Sequence, residues 1–409
     1  MKQSLKQTIR ELNWKRNFAT KRLRLRLRFS FYNLIKFLFI RRYKQYNLES
    51  IKKILIIRND RIGDMVATTG LIRNLAISGY EVYVSSRKQS LAIIKHNPYV
   101  KGVFIYDDSN IKNLYKSIKE ARKEKFDLAI ETRFNRFLDI HNLVFCSFMR
   151  TNILAGFCKS NISSFNLSIN YYHPNNHVTS QLIRILDLLD IRDKSVDYEL
   201  FVSDDIKNKA DSFLSNLNNK KKIVIFNPYG SQQERCMNDN HIKLLYNLLE
   251  KTYQVILIGE AVKLNSLKLA DEVKTFNSTS VLDIIPLIEK ADLVVSVDTA
   301  VVHIATCFNK KTLAFYINTV PKEPQRSNKK AYYNYQLLIL KAELEDYFQD
   351  KNYINKHNPD RTILINHNVW SPNNKNAIQI ILDFDPIRNT PNNILEQKTI
   401  EALNRLVWY

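Results

Sequence analysis

Two separate series of short apolar runs, each alternating with segments of helical spacing, constrain this chain more than any other feature. In the first, Ile54–Ile57, Glu81–Val84, Val103–Tyr106 and Phe126–Ile130 read as buried strands. Gly63 to about Ser78 and Ile111–Lys123 read as the helices between them. The second series begins at Lys222, with strands at Ile223–Phe226, Val255–Ile258, Leu293–Val297 and Leu313–Tyr316. Its helices fall at Asn240–Lys251, at Ser280–Glu289 and in a short piece through Ala305. Continuous apolar strands belong to parallel sheets covered on both faces, and the intervening helices supply the crossovers. The chain is therefore expected to be α/β, with two Rossmann-like domains whose parallel sheets face a central cleft. Ligands of such sheets sit at the carboxyl ends of the strands. Between the series, helices are expected at Thr179–Leu189 and Asp204–Asn219. From 320 onward the chain reads as loop-rich until an amphipathic helix at Ile394–Val407.

Composition narrows the function. The 409 residues suit two or three domains, and 45% hydrophobic content with 25% charged residues suits a full core. No G-x-G-x-x-G fingerprint and no Walker A loop occur among the seven Gly. The four Cys form no C-x-x-C pair and no zinc-spaced cluster, so a disulfide scaffold or structural zinc is not expected and a reducing compartment fits. His173 and His177 are four apart but flank Pro174 without a His-Glu-x-x-His pattern, and no metal site is assigned to them. The net charge of +22 is uneven, because residues 1–50 carry fourteen Lys/Arg against Glu11 and Glu49.

Within that arm Lys21–Arg28 alternates basic residues with Leu, and Phe29–Ile40 is a largely apolar run closed by Arg41-Arg42. The run is shorter than the roughly 20 apolar residues that span a bilayer, and no small-residue cleavage site follows it. A helix lying in the membrane interface fits best. A solvated extension or a helix packed on the body is the alternative, and nucleic-acid binding ranks third because no binding-module motif accompanies the arm.

Three strand ends carry polar residues suited to chemistry. Arg58-Asn59-Asp60-Arg61-Ile62-Gly63-Asp64 follows the first strand; Gly63 allows a tight turn and close approach, and Asp64 at the helix start is either a cap or a general base. Asn227-Pro228-Tyr229-Gly230-Ser231 follows the first strand of the second series, with Arg235 placed either to fork onto a phosphate or to lie on the surface. Asp298-Thr299-Ala300-Val301-Val302-His303 joins a strand to a helix whose N-terminus offers free N–H donors. Thr299 and His303, four apart, share a helical face, and His303 is expected to face ligand.

Lys53-Ile-Leu-Ile-Ile-Arg-Asn-Asp-Arg-Ile-Gly-Asp64, taken with Val297-Asp-Thr-Ala-Val-Val-His303, resembles glycosyltransferase family 9, the ADP-heptose:lipopolysaccharide heptosyltransferases. The resemblance runs over roughly 51–320. It implies a GT-B fold: an acceptor domain at 51–215, a nucleotide-sugar domain at 216–390, and a C-terminal helix at 391–409 crossing back to the first domain, while the basic extension at 1–50 is unusual for the family. It implies an inverting, metal-independent transfer without a cofactor, from a nucleotide sugar such as ADP-heptose to a lipid-linked oligosaccharide, with no nucleic-acid partner. Asp64 would be the catalytic base, with Arg61 and Gly63 shaping the acceptor loop. Gly230, Ser231, Arg235, Asp298, Thr299, Ala300, Val301 and His303 would bind the donor. The chain would work as a peripheral protein on the cytoplasmic face of a bacterial inner membrane. It departs from the family at Ala300, where Gly is usual, and at Arg235, where Lys is usual. An epimerase or hydrolase of the same fold, and a non-catalytic scaffold, are the alternatives.

Overall fold

The computed structural model describes residues 2–38, 47–134, 139–171, 173, 175–217, 221–267, 273–276, 278–319, 325–326, 328–346 and 366–407. The Phe29–Ile40 run is described as far as Leu38, and Arg41-Arg42 lie outside the described residues.

The first sheet contains β1 (Lys53–Ile57), β2 (Glu81–Ser86), β3 (Gly102–Ile105), β4 (Phe126–Glu131), β5 (Thr151–Phe157) and β6 (Leu167–Ile169). Its order is β3-β2-β1-β4-β5-β6, and every pair is parallel. The second contains β7 (Lys222–Asn227), β8 (Tyr253–Leu257), β9 (Lys274–Thr275), β10 (Leu293–Val297), β11 (Lys311–Ile317) and β12 (Ala377–Leu382). Its order, β12-β11-β10-β7-β8-β9, repeats the same doubly wound plan with all pairs parallel. Each sheet thus has one point where the winding reverses, between β1 and β4 and between β7 and β10. Crevices open there at the strand ends.

A long helix, α1 (Lys2–Leu38), precedes the first sheet. Around that sheet lie α2 (Ile62–Ile77), α3 (Lys88–Leu91), α4 (Ile111–Ala121), α5 (Ile140–Ser147) and α6 (Thr179–Leu188). After α7 (Asp204–Ser215) the second half adds α8 (Asp239–Leu249), α9 (Ala261–Ser266), α10 (Ile285–Lys290) and α11 (Ala300–Cys307). The chain ends with α12 (Lys329–Asp346), α13 (Asn366–Val369) and α14 (Asn392–Val407).

The local chemistry explains where α2 sits. The Arg61 N–H donates to Asp64 Oδ2 at 3.2 Å, which caps the first turn. Gly79, at φ +92°, reverses the chain after the last turn, a conformation that a side chain would strain. Between these ends Met65, Val66, Leu71, Ile72 and Leu75 are all fully buried. One apolar cluster joins the two halves, running from Ile54 and Val84 of the first sheet through α2 and α11 to Ile225 and Val294 of the second.

Three expectations need correction. α14 does not cross back: Leu395, Ala402 and Leu406 join the core of the second sheet, and Lys311 Nζ donates to the Leu406 carbonyl at 2.9 Å. The region beyond 320 is not only loop, since α12 and β12 lie in it. α7 packs on α10 and on the turn Val281–Ile284, with Lys209 paired to Asp283 at 2.8 Å, so it sits with the second half rather than the first. The arm is one continuous helix of 37 residues. Its inner face meets both halves: Phe18 stacks on Tyr333 of α12 at 4.9 Å, and Phe29 packs against the first domain's core.

Candidate active site

The Arg58–Asp64 segment leaves β1 at the first reversal point. Arg58 is 2% exposed despite its charge. Its Nη1 donates to the Thr132 carbonyl at 3.2 Å and to Thr132 Oγ1 at 3.3 Å, and its Nη2 pairs with Asp64 Oδ1 at 3.3 Å. Asp64 is 13% exposed at the side chain and opens on a small cavity of about 60 Å³. Arg58 on one oxygen and the Arg61 N–H on the other hold the carboxylate in a fixed orientation.

The second reversal point supplies the facing wall. Asn227 Nδ2 donates to Ser296 Oγ and to Thr299 Oγ1, both at 3.0 Å, and so ties the end of β7 to the end of β10. Arg235 and Asp298 pair with each other at 2.7 Å. Burial raises the Asp298 carboxyl above its ordinary range, although Arg235 and Arg61 both pull it down. Arg61 Nη1 reaches Ser231 Oγ at 3.4 Å, a bridge from one half to the other. Gly230 and Ser231 border a second, larger cavity of about 620 Å³, which Tyr229, Asn238, Lys263 and Arg388 also line. That volume falls in the range of ligand pockets, roughly 300–1,000 Å³.

Five of the residues singled out in the sequence therefore meet across the cleft: Arg61, Asp64, Ser231, Arg235 and Asp298. Others serve the fold. Thr299 Oγ1 accepts the Val301 N–H at 3.3 Å as the cap of α11, and Val301 is buried. His303, expected to face ligand, is 3% exposed and lines neither cavity. Its ring lies edge-on to Tyr198 and Trp370, with centroids 6.1 and 5.9 Å away, and burial pushes its pKa down to about 3. Gly63 is needed for a different reason than a turn or a ligand. A Cβ there would lie 2.9 Å from His303 Cδ2 and 3.5 Å from the Ala300 Cα, so α2 and α11 approach each other at this residue.

Two groups escaped the sequence reading. The first is a buried ionic cluster at the ends of β4 and β5. Glu131 is paired with Lys159 and, at 2.7 Å, with Arg133, which also pairs with Asp139 at 2.9 Å. Burial opposes the Glu131 charge, but Lys159 and Arg133 outweigh it and hold the carboxyl at about 2. Arg133 borders the Asp64 cavity, and its Nη2 has no hydrogen-bond partner among the described residues. Strand-end position was the available signal, since Glu131 ends the run Phe126–Ile130. The second is the turn 366–371, which belongs to the second half yet roofs the Asp64 cavity. The Val178 N–H donates to the Val369 carbonyl at 2.9 Å, and the Tyr316 hydroxyl to the Trp370 carbonyl at 2.7 Å. The Trp370 ring lies 5.7 Å from the Arg58 guanidinium, within cation–π range.

Paired doubly wound domains with polar strand ends facing each other are the architecture of GT-B glycosyltransferases. A sequence model of glycosyltransferase family 9 (heptosyltransferase) matches residues 116–345, more than half of the chain, and the chain belongs to that family. It is 24% identical over 305 residues to the putative lipopolysaccharide heptosyltransferase 4 of Escherichia coli K12, covering 71% of this chain and 83% of the relative. The fold is similar to that of a family 9 glycosyl transferase from Veillonella parvula DSM 2008, with a TM-score of 0.63 at 13% identity, covering 87% of this chain and 97% of that one. It is also similar to the E. coli ADP-heptose lps heptosyltransferase II, with a TM-score of 0.58 at 16% identity, covering 87% and 98%.

Proposed function

We propose that this glycosyltransferase moves a heptose from a nucleotide-sugar donor, ADP-heptose, to a lipopolysaccharide or lipooligosaccharide core acceptor, with inversion and without a metal. The first half binds the acceptor and the second the donor. Asp64 removes the proton from the acceptor hydroxyl, which then attacks the anomeric carbon opposite the nucleotide; the C–O bond to the diphosphate breaks as the new glycosidic bond forms. Negative charge grows on the departing diphosphate. Arg235, the Ser231 hydroxyl and the backbone N–H groups of Thr299 and Ala300 stabilise it. Binding of the diphosphate competes with Asp298 for the Arg235 guanidinium.

The observation that carries the reading is the Arg61–Ser231 contact, which brings the Asp64 carboxylate and the Arg235–Asp298 pair to the same side of one cleft. The names of the relatives supply the sugar and the acceptor class. Residues 1–50 serve an anionic membrane surface on which the acceptor is carried, which places the protein on the cytoplasmic face as a peripheral enzyme.

The test is a donor screen against lipopolysaccharide core acceptors, read by the mass gained. ADP-heptose with a core acceptor is expected to give a heptose adduct, and Asp64→Asn is expected to lower the rate by more than about 100-fold. An unchanged rate in that variant would remove Asp64 from the chemistry. A nucleotide sugar consumed without acceptor would turn the reading toward a hydrolase or epimerase.

A further inference from the structure

α1 has two apolar faces. At about 100° per residue, Trp14, Phe18, Leu25 and Phe29 fall on one side of the helix. These residues are half-buried, and this is the side that meets α12 and the first domain. Leu5, Ile9, Leu12, Leu23, Leu27 and Leu34 fall on the opposite side, within an arc of about 100° that also takes in Phe31. Each of these is between 50% and 64% exposed. Lys6, Arg10, Arg24 and Arg28 run along one edge of this outer stripe and Lys15, Arg22 and Arg26 along the other, while Lys2 and Arg16 fall within the arc, so its longest stretch without a cation inside it is Leu23–Leu34. The inner face suffices to seat the helix, so the outer stripe adds nothing to the fold described.

We infer that the outer stripe inserts into the interface of an anionic lipid bilayer, with the basic edges resting on the headgroups. This deepens the membrane attachment proposed above by naming the face that makes it, and it stands independently of the transfer chemistry. A long helix with an apolar stripe flanked by Lys and Arg is the form that lies in the headgroup–acyl boundary. Charge selects the occupant. Residues 2–38 carry eleven Lys/Arg against the single acid Glu11, so pairing with the same face of a second copy would bring two strongly cationic helices together. A duplex backbone would meet leucines where its phosphates need cations. Glu11 itself is turned inward, paired with Lys329 of α12.

The experiment is co-sedimentation of the full chain with vesicles of phosphatidylcholine alone or with added phosphatidylglycerol. The variants are Leu23→Glu with Leu27→Glu, Arg24→Gln with Arg28→Gln, and a chain lacking residues 1–50. All substituted positions are exposed, and circular dichroism checks that α1 stays helical. Binding to the anionic vesicles is expected, at least about tenfold weaker in the Leu pair variant, since burying even one Leu is worth more than a factor of ten. It should also weaken in the Arg pair variant, and activity on a soluble acceptor fragment should be unchanged in both. Binding that disappears with residues 1–50 but survives Leu23→Glu with Leu27→Glu would keep the membrane attachment and overturn the stripe. No vesicle binding would overturn both. A concentration-dependent dimer, or duplex DNA binding, that the Leu pair abolishes while vesicle binding is unaffected would reassign the surface.

Discussion

Gly63→Ala tests how the two halves are held together. The added Cβ would sit 2.9 Å from His303 Cδ2, closer than carbon atoms approach without something moving. The imidazole has no room to retreat, being 3% exposed and flanked by the rings of Tyr198 and Trp370. Overpacking of this kind costs about 1–3 kcal/mol. Ala gains at most about 1 kcal/mol over Gly in a helix. The net expectation is a loss of about 1–2 kcal/mol, read from urea unfolding. His303→Ala removes the obstructing ring, so in that background Gly63→Ala should be neutral or slightly stabilising, and the cycle of four proteins should show a coupling of at least about 1 kcal/mol. Asp64 is the next residue along the same turn. A displacement of the turn approaching 1 Å should lower the transfer rate by up to about 100-fold. Additive effects within about 0.5 kcal/mol, or a stabilised Gly63→Ala, would refute the claim that α2 and α11 touch at this residue.

Other consequences follow from the buried charges. Glu131→Gln leaves Lys159 and Arg133 without their shared carboxylate and should cost about 3–5 kcal/mol in denaturant unfolding; a cost below about 1 kcal/mol would mean that water reaches the cluster. In the native enzyme Glu131 is held at about 2 against an ordinary 4.5, so its contribution is intact above about pH 4.5 and drains away as pH falls toward 2. His303 is held neutral with its pKa near 3 against an ordinary 6.5. The unfolded chain takes up the proton first, so His303 by itself should contribute a fall of about 1.4 kcal/mol for each pH unit between about 6.5 and 3, and His303→Gln should remove that share while His177, His241 and His367, each also lowered by burial, keep theirs. Asp64→Asn likewise leaves the buried Arg58 guanidinium without its carboxylate, so its unfolding midpoint should fall as well, and its rate is to be compared where circular dichroism shows it folded.

The sheets were largely legible because parallel strands buried on both faces must be apolar throughout. Leu293–Val297 agrees at both ends, and Ile54–Ile57, Phe126–Ile130 and Ile223–Phe226 each fall within one residue at either end. Thr151–Phe157 escaped because Thr151, Asn152 and Gly156 break its run, and Leu167–Ile169 because three residues give no period. Ala377–Leu382 is a strand in a region read as loop. Thr299 stands before the first helical residue, as the extended N-cap of α11, so it shares no helical face with His303; that His303 looks into the interior is decided by α2, more than two hundred residues away. The same distance problem hid the ionic cluster, since Glu131 and Lys159 come together only when β4 and β5 pair. Asp64, Ser231, Arg235 and Asp298 could be found because strand ends at a winding reversal lie near one another by topology alone.

The turn 366–371 carries a kinetic consequence. The hollow beside Asp64 is walled by Arg58, Arg133 and Trp370. The Trp370 ring is seated over the Arg58 guanidinium at its rim. The latch is made of the Val178–Val369 and Tyr316–Trp370 hydrogen bonds together with the contact of His177 Nε2 with the Ser371 carbonyl at 3.1 Å. On the acceptor route proposed above, these hydrogen bonds would have to release and re-form in each cycle, and loosening them by Tyr316→Phe would then change the turnover rate without touching the groups that face the sugar.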